Sequence, residues 1–141
     1  MKLLIVDDHP GFVASLRKLL EEQLREDPLL EIRSADNLDD GIAMANEWRA
    51  DITLLDPGLP NYEMEEVLGK IKTSFPPPVI VITAYPDETG ELMKMAYRYG
   101  AQNFFQKKSL NGNLISSIHS AFLRYKLDPP SAARRHATER E

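Results

Sequence analysis

The sequence has 141 residues, of which 43% are hydrophobic and 28% are charged, as expected of one soluble globular domain with a sizeable core. The formal net charge of −5 argues against nucleic-acid binding by charge alone, and the absence of cysteine excludes disulfides, thiol catalysis and cysteine metal sites. No apolar run is long enough to span a membrane, and the amino terminus lacks a signal-peptide pattern, so a cytoplasmic location is expected.

The first part of the chain alternates strand and helix patterns. A continuous apolar run at residues 2–6 predicts a strand buried on both faces. Apolar residues at helical spacing then predict a first helix over residues 10–26. The more polar run at 29–35 predicts a second strand at the edge of a sheet, and a second helix follows to about residue 48.

The alternation continues from a third strand to the end of the apolar pattern. The run at residues 51–55 ends abruptly at Asp56, because Pro57 and Gly58 stop the strand and open a loop. The remaining segments predict, in order, a helix at 63–72, a strand at 79–83, a helix at 87–99, a strand at 101–106 and a helix that ends near Leu127.

Strands that alternate with helices through short connections favour a parallel, doubly wound sheet with helices on both faces. Residues 1–127 are therefore expected to form one α/β domain of five strands and five helices. Residues 128–141 contain two consecutive prolines and alternating charges, which are typical of a linker or a disordered tail. In such a sheet the carboxyl ends of all strands lie at one rim.

Polar side chains follow or end four of the predicted strands, namely Asp7, Asp8, Asp56, Thr83 and Lys107. If the first, third, fourth and fifth strands are central, these side chains converge on one shallow pocket. Three carboxylates ionised near neutral pH repel one another strongly. Mg²⁺ relieves such repulsion, since proteins hold it through one or two carboxylates, water and a phosphate. The sequence therefore predicts a Mg²⁺ site at this rim.

A metal beside a carboxylate, with a hydroxyl and an ammonium group nearby, suits phosphoryl transfer. The carboxylate of Asp56 is the expected nucleophile, which would form an aspartyl phosphate, while Thr83 and Lys107 contact the phosphoryl oxygens. The glycine-rich loops of nucleotide sites are absent from the sequence, so the phosphate donor is expected on a partner or a small molecule.

Taken together, these segments resemble the receiver domain of two-component response regulators from Lys2 to Leu127. The motifs that carry the resemblance are Val6-Asp7-Asp8, Leu55-Asp56 with Pro60 beyond it, Ile82-Thr83-Ala84, and Gly100-Ala101 followed by Phe104 to Lys107. The resemblance implies a flavodoxin-like sheet in the order 2-1-3-4-5. It also implies a sensor histidine kinase or a phosphotransfer protein as the phosphoryl-donating partner, and no membrane partner.

The resemblance assigns a role to seven positions: Asp56 as phosphoacceptor, Asp7, Asp8, Asp56 and the carbonyl of Gly58 as Mg²⁺ ligands, Thr83 and Phe104 as switch residues, and Lys107 as the partner of the phosphate. Such a domain promotes its own phosphorylation and dephosphorylation and is not a conventional enzyme. Phosphorylation is expected to shift the surface of the fourth helix, fifth strand and fifth helix, with a phosphorylation-dependent homodimer as one outcome. Phe104 is alternatively a plain core residue.

Two further stretches resemble the subfamily of regulators with a LuxR/NarL-type output domain. They are Asp7-Asp8-His9-Pro10 and Lys107-Lys108-Ser109. The resemblance implies transcription regulation through a DNA-binding domain missing from this chain. His9 and His119 themselves are interpreted as capping or surface residues.

The loop after Asp56 departs from the family pattern. Gly58 has no side chain that could shield the phosphoryl group from water. We therefore expect a short-lived phosphoryl group. The same departure leaves a phosphorylation-independent interaction module as the alternative function. Two enzyme classes fit poorly, since a flavin protein needs a hydroxyl- and glycine-rich loop after the first strand, and a haloacid-dehalogenase-type phosphatase needs Asp where Gly58 stands.

Overall fold

Five short strands pair in parallel at the centre of the molecule. They are β1 (Lys2–Val6), β2 (Glu31–Ala35), β3 (Ile52–Leu55), β4 (Val79–Thr83) and β5 (Asn103–Gln106). Their order is β2-β1-β3-β4-β5, so the predicted doubly wound sheet and its strand order are confirmed. The computed structural model describes residues 1–110 and 112–127, and the predicted linker or tail of residues 128–141 lies outside them.

Helices cover both faces of the sheet. They are α1 (Pro10–Gln23), α2 (Leu38–Glu47), α3 (Met64–Ser74), α4 (Glu91–Arg98) and α5 (Gly112–Leu127). Alternate residues of β1 divide the core into two layers: Leu3 and Ile5 pack with α1 and α5, whereas Leu4 and Val6 pack with α2, α3 and α4. Among the described residues, no helix has both the length and the apolar character needed to cross a membrane.

The central strands are buried on both faces, and β2 at the edge is more polar, as its sequence predicts. In a parallel ladder alternate residues of an edge strand direct their backbone groups away from the sheet. Arg17 of α1 reaches over this edge and its Nη1 donates a hydrogen bond of 2.8 Å to the carbonyl of Ile32. The guanidinium therefore satisfies one carbonyl of the edge strand.

Helix α2 packs unusually close to the sheet. A methyl group built on Gly41 would lie 2.7 Å from Cγ1 of Val6 in β1, so the missing side chain permits the approach. The helix begins after Asn37, whose Oδ1 accepts a hydrogen bond of 2.9 Å from the amide of Asp40. Glycine packing and a side-chain cap together fix this helix against β1.

Helix α4 begins at Glu91, four residues later than its apolar pattern predicts. Gly90 adopts a left-handed conformation with φ of 74°, which α-helical backbone cannot accommodate. The carboxylate of Asp87 nevertheless accepts hydrogen bonds from the amides of Leu92 (2.9 Å) and Met93 (3.0 Å). Residues 87–90 thus form a capping turn rather than a helical turn.

A rim of carboxylates closed by one lysine

Two buried aspartates stand at the carboxyl ends of neighbouring strands. Asp7 follows β1 and Asp56 follows β3, and both side chains are almost completely buried. The ladder fixes their backbones, because the amide of Asp56 donates to the carbonyl of Val6 (2.9 Å) and the amide of Asp7 donates to that of Ala35 (3.0 Å). The sheet therefore holds two carboxylates side by side where water is scarce.

Lys107 bridges this pair and offsets one of its two negative charges. Its Nζ lies 2.8 Å from Oδ2 of Asp7 and 2.9 Å from Oδ2 of Asp56, and its side chain is only 11% exposed. Burial acts to lower the pKa of Lys107, but hydrogen bonds and charge attraction from both aspartates outweigh it, so the pKa lies above its usual value. The ring of Phe12 lies 4.2 Å from the ammonium group, which adds a cation–π contact.

The third acid stands nearer the surface. The side chain of Asp8 is 33% exposed, yet its Oδ1 is shielded from solvent and has no hydrogen-bond partner among the described residues. The Nδ1 atom of His9 lies 3.2 Å from this oxygen, without the geometry of a hydrogen bond. Asp7, Asp8, His9 and Asp56 each bring one ligand atom within 4.8 Å of the others.

The other predicted site residues lie on adjoining segments. The amide of Gly58 donates a hydrogen bond of 2.8 Å to Oδ1 of Asp56, so the loop beyond β3 folds back on the acid. Thr83 is buried at the end of β4, and its Oγ1 accepts a hydrogen bond of 3.0 Å from the amide of Tyr85. Phe104 lies in β5, partly buried against the core layer that contains Val81.

The donor atoms fit a divalent cation. Three carboxylates converge from two strand ends, and one of them presents a buried oxygen without a hydrogen-bond partner in the described part of the chain. Hard cations such as Mg²⁺ prefer oxygen ligands of this kind. Asp7, Asp8 and Asp56 are therefore the residues able to hold Mg²⁺ here.

Sequence reasoning missed two residues of this site. His9 occupies the backbone N-cap position of α1, but its side chain caps no amide and its ring instead reaches the carboxylates. The signal was its position directly after two acids. Phe12 matched the apolar periodicity of α1, and no sequence feature distinguishes its contact with Lys107 from ordinary core packing.

Comparison with known proteins identifies the family. Residues 3–119 match the family model for the response regulator receiver domain, and the chain belongs to this family. Receiver domains are phosphoacceptors that bind Mg²⁺ at an acidic cluster and interact with histidine kinases or phosphotransfer proteins. The acidic rim described above is the corresponding feature of this chain.

Three similar proteins differ in how much of their own length the match to this chain covers. A protein-glutamate methylesterase/protein-glutamine glutaminase of Methanosarcina mazei is 33% identical over 84% of this chain but only 31% of its own length. Protein PilH of Pseudomonas aeruginosa is 29% identical over 84% of this chain and 95% of its own. A CheY-like receiver domain structure from Methanospirillum hungatei has a TM-score of 0.74 and 24% identity, and the match covers 90% of this chain and 97% of that one. The chain thus spans about a third of the methylesterase that it matches.

Proposed function

We propose that Asp56 is the phosphoacceptor and that its phosphorylation switches the surface of the domain. The observation that carries this proposal is Lys107, whose Nζ bridges Asp56 and Asp7 at 2.9 and 2.8 Å. Asp56 ends a strand in a buried position, and one of its oxygens is oriented by the Gly58 amide. A carboxylate held in this way is an oriented nucleophile beside a fixed positive charge.

The proposed transfer begins when a carboxylate oxygen of Asp56 attacks the phosphorus of a phosphohistidine on a partner kinase or phosphotransfer protein. The new oxygen–phosphorus bond forms as the phosphorus–nitrogen bond breaks, and the leaving imidazole keeps the electron pair and takes up a proton. Lys107 then pairs with a phosphoryl oxygen in place of the Asp56 oxygen that it contacts before transfer. Water later cleaves the acyl phosphate, which releases inorganic phosphate and restores the carboxylate.

Asp7, Asp8 and Asp56 are the proposed Mg²⁺ ligands, and the carbonyl of Gly58 is a further proposed ligand. When bound there, Mg²⁺ would neutralise charge that develops on the phosphoryl oxygens. The buried Oδ1 of Asp8 supports this assignment, since a cation would satisfy an oxygen for which the described residues offer no donor.

Thr83 and Phe104 are the proposed switch residues. The hydroxyl of Thr83 accepts a hydrogen bond from the amide of Tyr85, and it would turn toward the phosphoryl group to donate its own proton to an oxygen there. Such a change would move the segment that joins β4 to α4, and Phe104 in the neighbouring β5 would adjust its packing against α4. The output surface would then be formed by α4, β5 and α5.

For the effector that this domain would control, we weigh two candidates. The Asp7-Asp8-His9-Pro10 stretch supports a LuxR/NarL-type regulator, with a DNA-binding output domain and a role in transcription. The methylesterase relative instead favours an effector of the chemotaxis type, because that match extends over 84% of this chain at 33% identity. We favour the second candidate. We also propose that residues 1–127 form the receiver domain and that residues 128–141 are a linker after it. A cytoplasmic location is proposed for the protein.

The direct test is phosphorylation by small donors. The chain is incubated with Mg²⁺ and acetyl phosphate or phosphoramidate, intact mass is measured, and Mg²⁺-dependent beryllofluoride binding is followed in parallel. One phosphoryl adduct, or bound beryllofluoride, is expected and should be lost in Asp56→Ala. Asp36→Ala, which removes an exposed acid, is the matched control and should keep the adduct. If the folded wild-type protein gives neither signal, a phosphorylation-independent interaction module is favoured instead.

A short phosphoryl lifetime is a further part of the proposal. A methyl group built on Gly58 would lie 3.3 Å from Oδ1 of Asp56, so any side chain at this position stands over the acceptor. Gly58→Asn is therefore expected to slow dephosphorylation by shielding the phosphoryl group from water. The decay of the adduct after donor removal measures this rate, and an unchanged rate with intact phosphorylation would contradict the proposal.

A further inference from the structure

His9 brings a second nitrogen atom, besides that of Lys107, among the carboxylate oxygens of the acidic rim. Its Nδ1 lies 2.9 Å from Oδ1 of Asp7, 3.2 Å from Oδ1 of Asp8 and 3.6 Å from Oδ2 of Asp56. A ring nitrogen carries one proton or one lone pair, so it can donate to only one of these three oxygens. His9 can account for the oxygen of Asp7 and Lys107 for that of Asp56, which leaves Oδ1 of Asp8 without a donor among the described residues.

A shared cation would bind all four of these atoms, including the unpartnered oxygen of Asp8. Ligand atoms that lie about 2.1 Å from a common centre stand about 3.0–3.4 Å apart in octahedral or tetrahedral arrangements. The three distances from His9 Nδ1, which are 2.9, 3.2 and 3.6 Å, lie within or about 0.2 Å outside this range, and all four ligand atoms lie within 4.8 Å of one another. The solvent-shielded Oδ1 of Asp8, for which the described residues provide no donor, faces the same nitrogen.

The Nδ1 atom of His9 lies between an acceptor and a donor. An ionised carboxylate can only accept and Lys107 can only donate, and Nδ1 lies 2.9 Å from Oδ1 of Asp7 and 3.1 Å from Nζ of Lys107, so the two contacts cannot both be hydrogen bonds. The His9 side chain makes no hydrogen bond to the backbone of α1, and no helix-capping role competes for it. A cation bound at Nδ1 would replace this mixed pair of contacts with one ligand bond.

We infer that His9 is a ligand of the divalent cation and gives this rim a preference for nitrogen-accepting cations such as Zn²⁺ beyond that of an all-carboxylate site. Oxygen ligands suit Mg²⁺, whereas an added imidazole suits Zn²⁺ and similar transition metals. Three carboxylates and one imidazole supply the four ligands of a tetrahedral Zn²⁺ site. The inference rests on the proposed metal site but is independent of phosphoryl transfer.

The test compares metal affinities of the wild-type chain and three variants by calorimetric titration with Zn²⁺ and Mg²⁺ at one pH. His9→Ala should weaken Zn²⁺ binding at least about tenfold while changing Mg²⁺ binding by less than about threefold. The ring of His9 is more than half exposed, so the substitution should leave the fold intact. His119→Ala, which removes an exposed histidine on α5, is the matched control and should change neither affinity.

Nitrogen-15 NMR of the histidine rings gives a readout independent of affinity. Saturation with Zn²⁺ should shift the Nδ1 resonance of His9, with His119 and His136 as references in the same spectrum. Asp8→Asn separates the two proposals, because it should weaken both metals. If Asp8→Asn weakens Zn²⁺ while His9→Ala and the His9 resonance do not respond, the inference about His9 is overturned and the carboxylate site stands. If Asp8→Asn has no effect either, both are overturned.

Discussion

Among the residues of the rim, Lys107 is the one whose replacement is expected to destabilise the fold most. Replacement by methionine keeps the aliphatic stem beside Phe12 but leaves Asp7 and Asp56 buried without their ammonium partner. A lost charge-assisted hydrogen bond costs about 1.5–3 kcal/mol, so Lys107→Met should lower the free energy of unfolding by about 2 kcal/mol at neutral pH. Urea denaturation measures the change. Lys108→Met, at the exposed neighbouring position, should change little.

The pH dependence of this contribution follows from the raised pKa of Lys107. Its folded pKa lies above the unfolded value of 10.5, so the folded state binds the proton more tightly. The stabilisation is fully present below the unfolded pKa and is lost as the pH rises through the folded pKa. The difference in unfolding free energy between wild type and Lys107→Met should therefore stay constant from neutral pH upward and shrink only in strongly alkaline solution. A difference that already declines between pH 7 and 9 would contradict this account.

The acids of the site could be predicted from the sequence because backbone topology alone brings them together. Asp7 and Asp56 each follow a strand, and parallel strands share one rim, so their approach needs no knowledge of side-chain rotamers. His9 and Phe12 differ, because their contribution depends on the direction of a ring at the start of α1. Propensity and periodicity carry no information on that direction.

At the scale of elements, the contact between Gly41 and Val6 decides how α2 sits on the sheet. Alanine at a helix interior is favoured over glycine by about 1 kcal/mol, but a methyl group 2.7 Å from Val6 overpacks the core, which costs about 1–3 kcal/mol. Gly41→Ala is therefore expected to destabilise the fold by about 1 kcal/mol on balance. Thermal or urea unfolding would show a lower midpoint.

Gly69→Ala in α3 is the control for this prediction. Of the described residues outside α3, a methyl group there would meet only Tyr99, at 4.0 Å, so the helix propensity should act alone and the variant should be more stable than wild type by up to about 1 kcal/mol. If both variants changed the stability in the same direction, the close packing of α2 on β1 would not determine the effect of Gly41→Ala.

Element boundaries were predicted where a local signal dominates and missed where a side chain acts at a distance. Strand β4 consists largely of β-branched residues, and its predicted bounds match the structure. Helix α4 ends before Gly100, whose φ of 103° favours glycine, as its sequence predicts. Its start was misplaced because Asp87 caps amides five and six residues further along the chain.

At the scale of the whole molecule, the proposed output surface predicts a change in assembly. Met93 and Tyr97 of α4 are 40% and 44% exposed, and apolar area of this kind can be buried against a second copy. Beryllofluoride with Mg²⁺ should therefore shift the wild-type chain from monomer toward dimer in sedimentation velocity. Tyr97→Asp should prevent the shift without loss of beryllofluoride binding. A wild-type chain that stays monomeric with beryllofluoride bound would remove dimerisation from the proposal.

The guanidinium that crosses the sheet edge has a consequence for how this domain meets other proteins. An incoming strand that extended the sheet beside β2 would need the carbonyl of Ile32, which already accepts from Arg17. Displacing Arg17 would forfeit an existing bond before a new one formed. At this edge of the sheet, partners that bind helix and loop surfaces are therefore favoured. The contact also disfavours the continued strand pairing between copies that leads to fibres.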